Sequence, residues 1–212
     1  MNYTQFRQKF QDVPLILSKS LSLSGLGDKQ MQNQLIRWQQ RRLVIKLKRG
    51  LYLLNESDRK VNPSRFYIAN QLYSPSYVSL ESALSFYELI PERVFDITSI
   101  ATKKTSRFKN ELGLFVYQHI KPGCFRGFKV IKEKGSGGFL IADPEKALVD
   151  FLYLNRNKFK RNAIGLFRDS YRFQNLEILS PRKIKFFAGI FNNDELVKVA
   201  GEFCAFLRQE KE

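Results

Sequence analysis

Apolar positions in the first third of the chain recur first with helical and then with strand spacing. Phe6 and Phe10 stand four apart and predict a short helix over Tyr3–Phe10. Residues 18–23 predict a second short helix, stopped by Gly25 and Gly27. Asp28 offers an N-cap oxygen before a third helix over residues 29–42, where Met31, Leu35 and Trp38 fall at i, i+4 and i+7. The opposite face carries Lys29, Asn33, Arg37 and Gln40, flanked by Gln30 and Gln32. These are planar hydrogen-bonding groups rather than the Glu/Lys mixture of an ordinary solvated helix. Residues 43–47 and 51–54 then read as two strands around the basic turn Lys48-Arg49-Gly50.

The polar run of residues 55–60 has the composition of a linker, and Pro63 restarts the chain. This divides the protein into residues 1–60 and 61–212. In the second part Pro63 opens a helix through Phe66, Ile68, Ala69 and Leu72, and residues 75–78 are extended. Ser79 caps a further helix whose inner face is Leu80, Ala83, Leu84 and Tyr87, ended by Pro91. Residues 95–101, 113–120, 125–131 and 139–142 read as strands, with turn signals at Gly113, Pro122-Gly123 and residues 135–138. Asp143-Pro144 starts a helix with the stripe Ala147, Leu148, Phe151 and Leu152, and Ser180-Pro181 and Asp194 start two more. The expected fold class is α+β: an N-terminal winged helix-turn-helix domain followed by a mixed α/β C-terminal domain.

Charge changes this picture from a fold to a partner. Thirty-six Lys and Arg face twenty Asp and Glu, a net +16, which calls for a polyanion, either nucleic acid or an anionic membrane surface. Residues 1–60 hold twelve basic and four acidic side chains, so half of the net charge sits in just over a quarter of the chain. An α-helix fills the major groove and a basic hairpin follows phosphates. The expected DNA-binding residues are therefore Lys29, Gln30, Gln32, Asn33, Arg37 and Arg41 on the helix, with Lys46, Lys48 and Arg49 on the wing. The plainer alternative is a small helical module with a solvated basic face. In the second part Lys103, Lys104, Arg107 and Lys109, then Lys129 and Lys132, interleave with Phe108 and Phe128. That mixture suits RNA or single strands, or simply a solvated surface.

Candidate chemistry is sparse. Two cysteines and one histidine cannot build a zinc finger, and no metal or cofactor is expected. The apolar run of residues 13–17 is too short for a signal-peptide core, and no segment reads as transmembrane, so a soluble cytoplasmic protein is expected. His119 has no sequence-local carboxylate, capping accounts for Ser79 and Ser82, and the loop at residues 135–138 lacks the ending of a phosphate-binding loop. Asp143, Glu145, Lys146 and Asp150 invite a nuclease reading, but helix-start logic explains acidic groups there. No catalytic set is expected.

The stretch PSYVSLESALSFYELIPE (residues 75–92), the pairs Thr98-Ser99 and Thr102-Lys103, and IADPEKALVDFLYL (residues 141–154) resemble the AbiEi family, antitoxins of type IV toxin–antitoxin, or abortive-infection, systems. Leu35, Arg37, Trp38, Leu43, Leu47, Gly50 and Tyr52 look like that family's winged helix, and the resemblance spans roughly residues 25–155. It implies a bacterial protein whose first domain represses its own operon by binding inverted repeats in the promoter. Its second domain would oppose a nucleotidyltransferase-like toxin without a stable complex. Two other functions stay open: a winged-helix transcription regulator with a ligand-sensing or dimerisation domain, and a nucleic-acid-processing enzyme.

Overall fold

The computed structural model describes residues 1–22, 28–135 and 137–210, and the chain is α+β with one small and one mixed sheet. Helix α1 (Tyr3–Phe10) is followed by strand β1 (Ile16–Leu17), α2 (Ser18–Ser22), α3 (Asp28–Gln40), β2 (Val44–Lys48) and β3 (Leu51–Leu54). Asn2 caps α1 through a reciprocal pair of hydrogen bonds with Gln5. The helix stops expected at Gly25 and Gly27, and the side chain of Asp28, lie outside the described residues. The stripe Met31, Leu35 and Trp38 is buried as its spacing predicts, with the Trp38 ring 4.7 Å from Phe6 and 5.5 Å from Tyr3.

Strand β3 is buried at all four positions, which one half-solvated face cannot explain. The three strands lie in the order β1-β3-β2, all antiparallel, and the sheet is covered on both sides. Val44, Tyr52 and Leu54 join Phe6, Phe10 and Trp38 in a small N-terminal core, whereas Leu47, Leu51 and Leu53 belong to the large core of the second part. A register shift between Lys46 and Lys48 lets Leu47 turn toward that second core. Gly50 closes the hairpin at φ +79°, and a Cβ there would meet Ser18 Oγ at 2.9 Å.

The segment expected as a linker is instead tied to α1. Asp58 accepts from Tyr3 Oη at 2.6 Å and pairs with Arg7, and the Lys60 amide bonds the Gln11 carbonyl. The next helix, α4 (Arg65–Leu72), begins two residues later than Pro63, because the Ser64 hydroxyl caps it by accepting from Tyr67 N.

After α4 come β4 (Ser76–Val78), α5 (Leu80–Phe86), β5 (Ile97–Ala101), β6 (Ser106–Asn110), β7 (Gly113–His119), β8 (Phe128–Ile131), β9 (Phe139–Ala142) and α6 (Pro144–Asn155). Their strands form one six-stranded sheet in the order β6-β7-β5-β4-β9-β8. Only the β5–β7 and β4–β9 pairs are parallel. Strand β6 was not expected from its Ser-Arg-Phe-Lys-Asn run, in which only Phe108 is apolar. Pairing with β7 supplies what the pattern lacks. Helix α4 covers one face, where Tyr117 Oη donates to the Ala69 carbonyl, and α5 and α6 cover the other. A short α7 (Ala163–Gly165) leads to α8 (Pro181–Ile190) and α9 (Asp194–Gln209), which pack on α6.

Residues 145–152 of α6 are all buried, so its polar side chains must find partners inside the protein, and of their atoms Glu145 Oε2 has none among the described residues. Helix-start logic does not describe them. Lys146 and Asp150 are 1% and 0% exposed and form an ion pair one helical turn apart. Tyr77 Oη accepts from Lys146 Nζ at 2.9 Å and donates to Asp150 Oδ2 at 3.0 Å, while Ser79 Oγ donates to the same oxygen at 2.8 Å. Ser79 therefore starts α5 without capping it by its side chain. Ser82 also has another task, donating to the Asp96 carbonyl and accepting from Thr98 N. Burial pushes the Asp150 carboxyl up, opposed by Lys146 and the two hydroxyls, and it raises the Tyr77 phenol as well.

Removing one member of this group strands a charge in the core. Asp150→Ala is expected to lower the unfolding free energy by about 3–5 kcal/mol, measured by urea denaturation. Lys146→Met combined with Asp150→Leu should cost less than Asp150→Ala alone, because no uncompensated charge remains.

Candidate nucleic-acid interface

Burial of one side of α3 against α1 and the small sheet leaves the amide-rich side outward. Lys29, Gln30, Gln32, Asn33, Arg37 and Arg41 are all exposed and make no side-chain hydrogen bond or ion pair among the described residues. Arg41 lies just past the helix end, where Arg42 turns the chain at φ +56° and the Leu43 amide bonds the Trp38 carbonyl. Ile36 shares the exposed side, the one large apolar residue on it among those described. Such a surface offers amides and guanidinium groups able to bond base edges, backed by a helix whose other face is fixed.

The hairpin divides its three cations. Lys46 and Arg49 are exposed, as a phosphate contact requires. Lys48 Nζ instead donates to the Leu72 carbonyl at 2.5 Å and lies 3.5 Å from that of Gln71, the open carbonyls at the end of α4. An ammonium at a helix C-terminus satisfies orphan acceptors and meets the negative end of the dipole. Burial, and secondarily Lys103, lowers the Lys48 pKa. This side chain ties the hairpin to the second part of the protein.

The basic residues of the second part do not make one surface. Lys103 and Lys104 occupy the loop after β5, and Arg107 and Lys109 are the exposed alternate positions of β6, at one edge of the large sheet. Lys129 lies on β8 at the far edge, its ammonium 5.4 Å from the Tyr87 ring centre, and Lys132 follows that strand. The first group adjoins the hairpin. Strand β2 packs beside β6, and Asn110 Nδ2 donates to the Leu47 carbonyl at 3.2 Å. Lys46 and Arg49 thus stand on an element packed beside the strand that carries Arg107 and Lys109. Lys129 and Lys132 belong elsewhere.

Three of the residues weighed for catalysis have partners within the fold. Lys146 and Asp150 are enclosed, and Glu145 accepts from Ser180 N and lies 3.6 Å from Lys183 Nζ. No group of three or more His, Cys, Asp and Glu among the described residues is placed to hold a metal. Also among those residues, no helix is long and apolar enough to cross a membrane. His119 reaches the end of β7, where its Nδ1 lies 3.1 Å from the Lys103 carbonyl. Sequence reasoning had no partner for it, because the contact joins two strand ends sixteen residues apart.

No known family model matches this chain, and no curated protein matches it.

The division of the hairpin cations has a measurable consequence. In titrations of duplex DNA over a range of salt concentrations, Lys46→Ala or Arg49→Ala should each reduce the slope of log affinity against log salt by about one. Lys48→Ala should leave that slope unchanged and instead lower stability by about 1 kcal/mol, read by thermal or urea unfolding.

Proposed function

We propose that the protein is an autoregulating DNA-binding antitoxin of a type IV toxin–antitoxin system. In this reading residues 1–60 are a winged helix-turn-helix that occupies inverted repeats in the promoter of its own operon. The single observation that carries it is the α3 surface: six exposed side chains rich in amide and guanidinium groups, opposite a buried Met31–Leu35–Trp38 stripe. The order helix, strand, helix, helix, strand, strand, with the short first strand paired to the last, supports it. So does a hairpin carrying Lys46 and Arg49 in the open.

The antitoxin half rests on the resemblance of residues 75–92 and 141–154 to the AbiEi family. Those two stretches supply Tyr77 and Ser79, and Lys146 and Asp150, to one buried group, so these four residues act as a unit of the fold. The toxin opposed would be nucleotidyltransferase-like, encoded beside this gene, and countered without a stable complex. Its place of action would be the cytoplasm, where its operator lies. A transcription regulator whose second domain senses a ligand is the second reading. It is favoured by the seating of the hairpin on α4 and β6, since a ligand that shifts those elements would act on the wing.

Binding to DNA upstream of its own gene should be sequence-specific and weaken steeply as salt rises. Equal affinity for scrambled DNA at physiological salt rejects a specific repressor. Arg37→Ala should cost about 1–3 kcal/mol and relax preference at one base position in a competition assay. Co-expression with the adjacent open reading frame tests the rest. The neighbour should arrest growth alone and lose that effect in the presence of this protein; a harmless neighbour, or an arrest left untouched, refutes the antitoxin assignment.

A further inference from the structure

Strands β5 and β7 run parallel in register, Ala101 beside His119, so their carboxyl ends open on the same side of the sheet. In open α/β sheets ligands bind in the crevice outside the carboxyl ends of the strands. Here the space is an open cleft of about 660 Å³ lined by Tyr73, Thr102, Lys103, Lys104, Thr105 and His119. We propose that this cleft binds the phosphate chain of a free nucleotide.

The lining sets a few donors on a mostly apolar surface. Lys103, Lys104, Thr102, Thr105 and His119 line the same space, and no carboxylate is among the described lining residues. Part of the frame is fixed. Tyr73 Oη donates to the Lys104 carbonyl at 2.7 Å, and Lys103 Nζ donates to the Ser74 carbonyl at 2.5 Å while lying 5.6 Å from the Tyr73 ring centre. A carbonyl only accepts, so His119 Nδ1 carries the proton it gives to Lys103 O, and Nε2 of the neutral ring is left as an acceptor for a ligand hydroxyl. Lys48 approaches from the hairpin closely enough for Lys103 to disfavour its charge, and no carboxylate forms a salt bridge with Lys48, Lys103 or Lys104 among the described residues. Unneutralised cations gathered from separate segments, with hydroxyl donors between them, match the spaced oxygens and multiple charges of a di- or triphosphate. One loop and two element ends supply the lining, rather than a track of side chains along a groove. That favours a compact ligand over a polymer backbone.

This inference is independent of the DNA-binding reading, and its probe is internal. His119 is the sole histidine of the chain, so imidazole resonances in an NMR titration of the full-length protein report this cleft alone. ATP and inorganic tripolyphosphate are expected to move them saturably, and Lys104→Ala to weaken both by about tenfold or more. The Lys104 side chain is exposed, so the variant should retain its fold, and calorimetry on His119→Gln provides a second measurement. No saturable movement up to millimolar ATP overturns the proposal. A response to a 5′-hydroxyl single-stranded RNA alone overturns it in favour of a polymer surface, and equal ATP affinity in Lys104→Ala overturns it as well.

Discussion

The fold depends on one buried ion pair. Helix α6 is enclosed by the large sheet, α5, α8 and α9, and the interior tolerates Lys146 and Asp150 there only because each meets the other. Tyr77 and Ser79 complete the set from β4 and the start of α5, so two stretches distant in sequence meet at four side chains. The arrangement is costly to desolvate and specific in geometry. It fixes how the central strand sits against the central helix, and everything on either side of β4 inherits that placement, including the ends of β5 and β7 where the donor cleft opens.

A second constraint acts on the small sheet. Because β3 is covered on both faces, the N-terminal elements are not beads on a tether: Leu47, Leu51 and Leu53 are part of the same apolar cluster as the second part's core. Lys48 on the α4 carbonyls and Asn110 on the Leu47 carbonyl add directional bonds around that apolar contact. The exposed face of α3 is consequently presented by a body larger than its own sixty residues. Whatever displaces α4 or the edge strand β6 acts on the hairpin through packed side chains rather than through a flexible chain.

How much of this was legible in the sequence follows from how far each signal reaches. Helices with a solvent face, such as α3 and α9, announce themselves through period, because one side is apolar and the other is not. Turn residues located the hairpin for the same local reason. Strand β6 left no such trace: Ser106, Arg107, Lys109 and Asn110 are polar, and only pairing with β7 makes them a strand. The charges of α6 were misread because Asp and Glu near a helix start look like dipole partners, while their enclosure depends on helices that follow much later. A local hint was present: Lys146 and Asp150 stand one turn apart among Ala147, Leu148, Val149, Phe151 and Leu152, where an unpaired charge would be untenable. Lys48 was legible as a cation near a turn, but not as a cation whose turn is seated on another helix.

The net charge takes on a different sense once the chain is folded. Read linearly it divides into a dense N-terminal share and a dilute C-terminal one. Folding sets the hairpin carrying Lys46, Lys48 and Arg49 against the edge that carries Lys103, Lys104, Arg107 and Lys109, and leaves Lys129 and Lys132 on the far side. Cations brought together repel one another, and that repulsion opposes the packing that the apolar contact favours. An anion bound on this edge would relieve that repulsion where the hairpin and the edge strand meet. The seam between the two parts is therefore where an anionic ligand and the presentation of the α3 surface would be coupled.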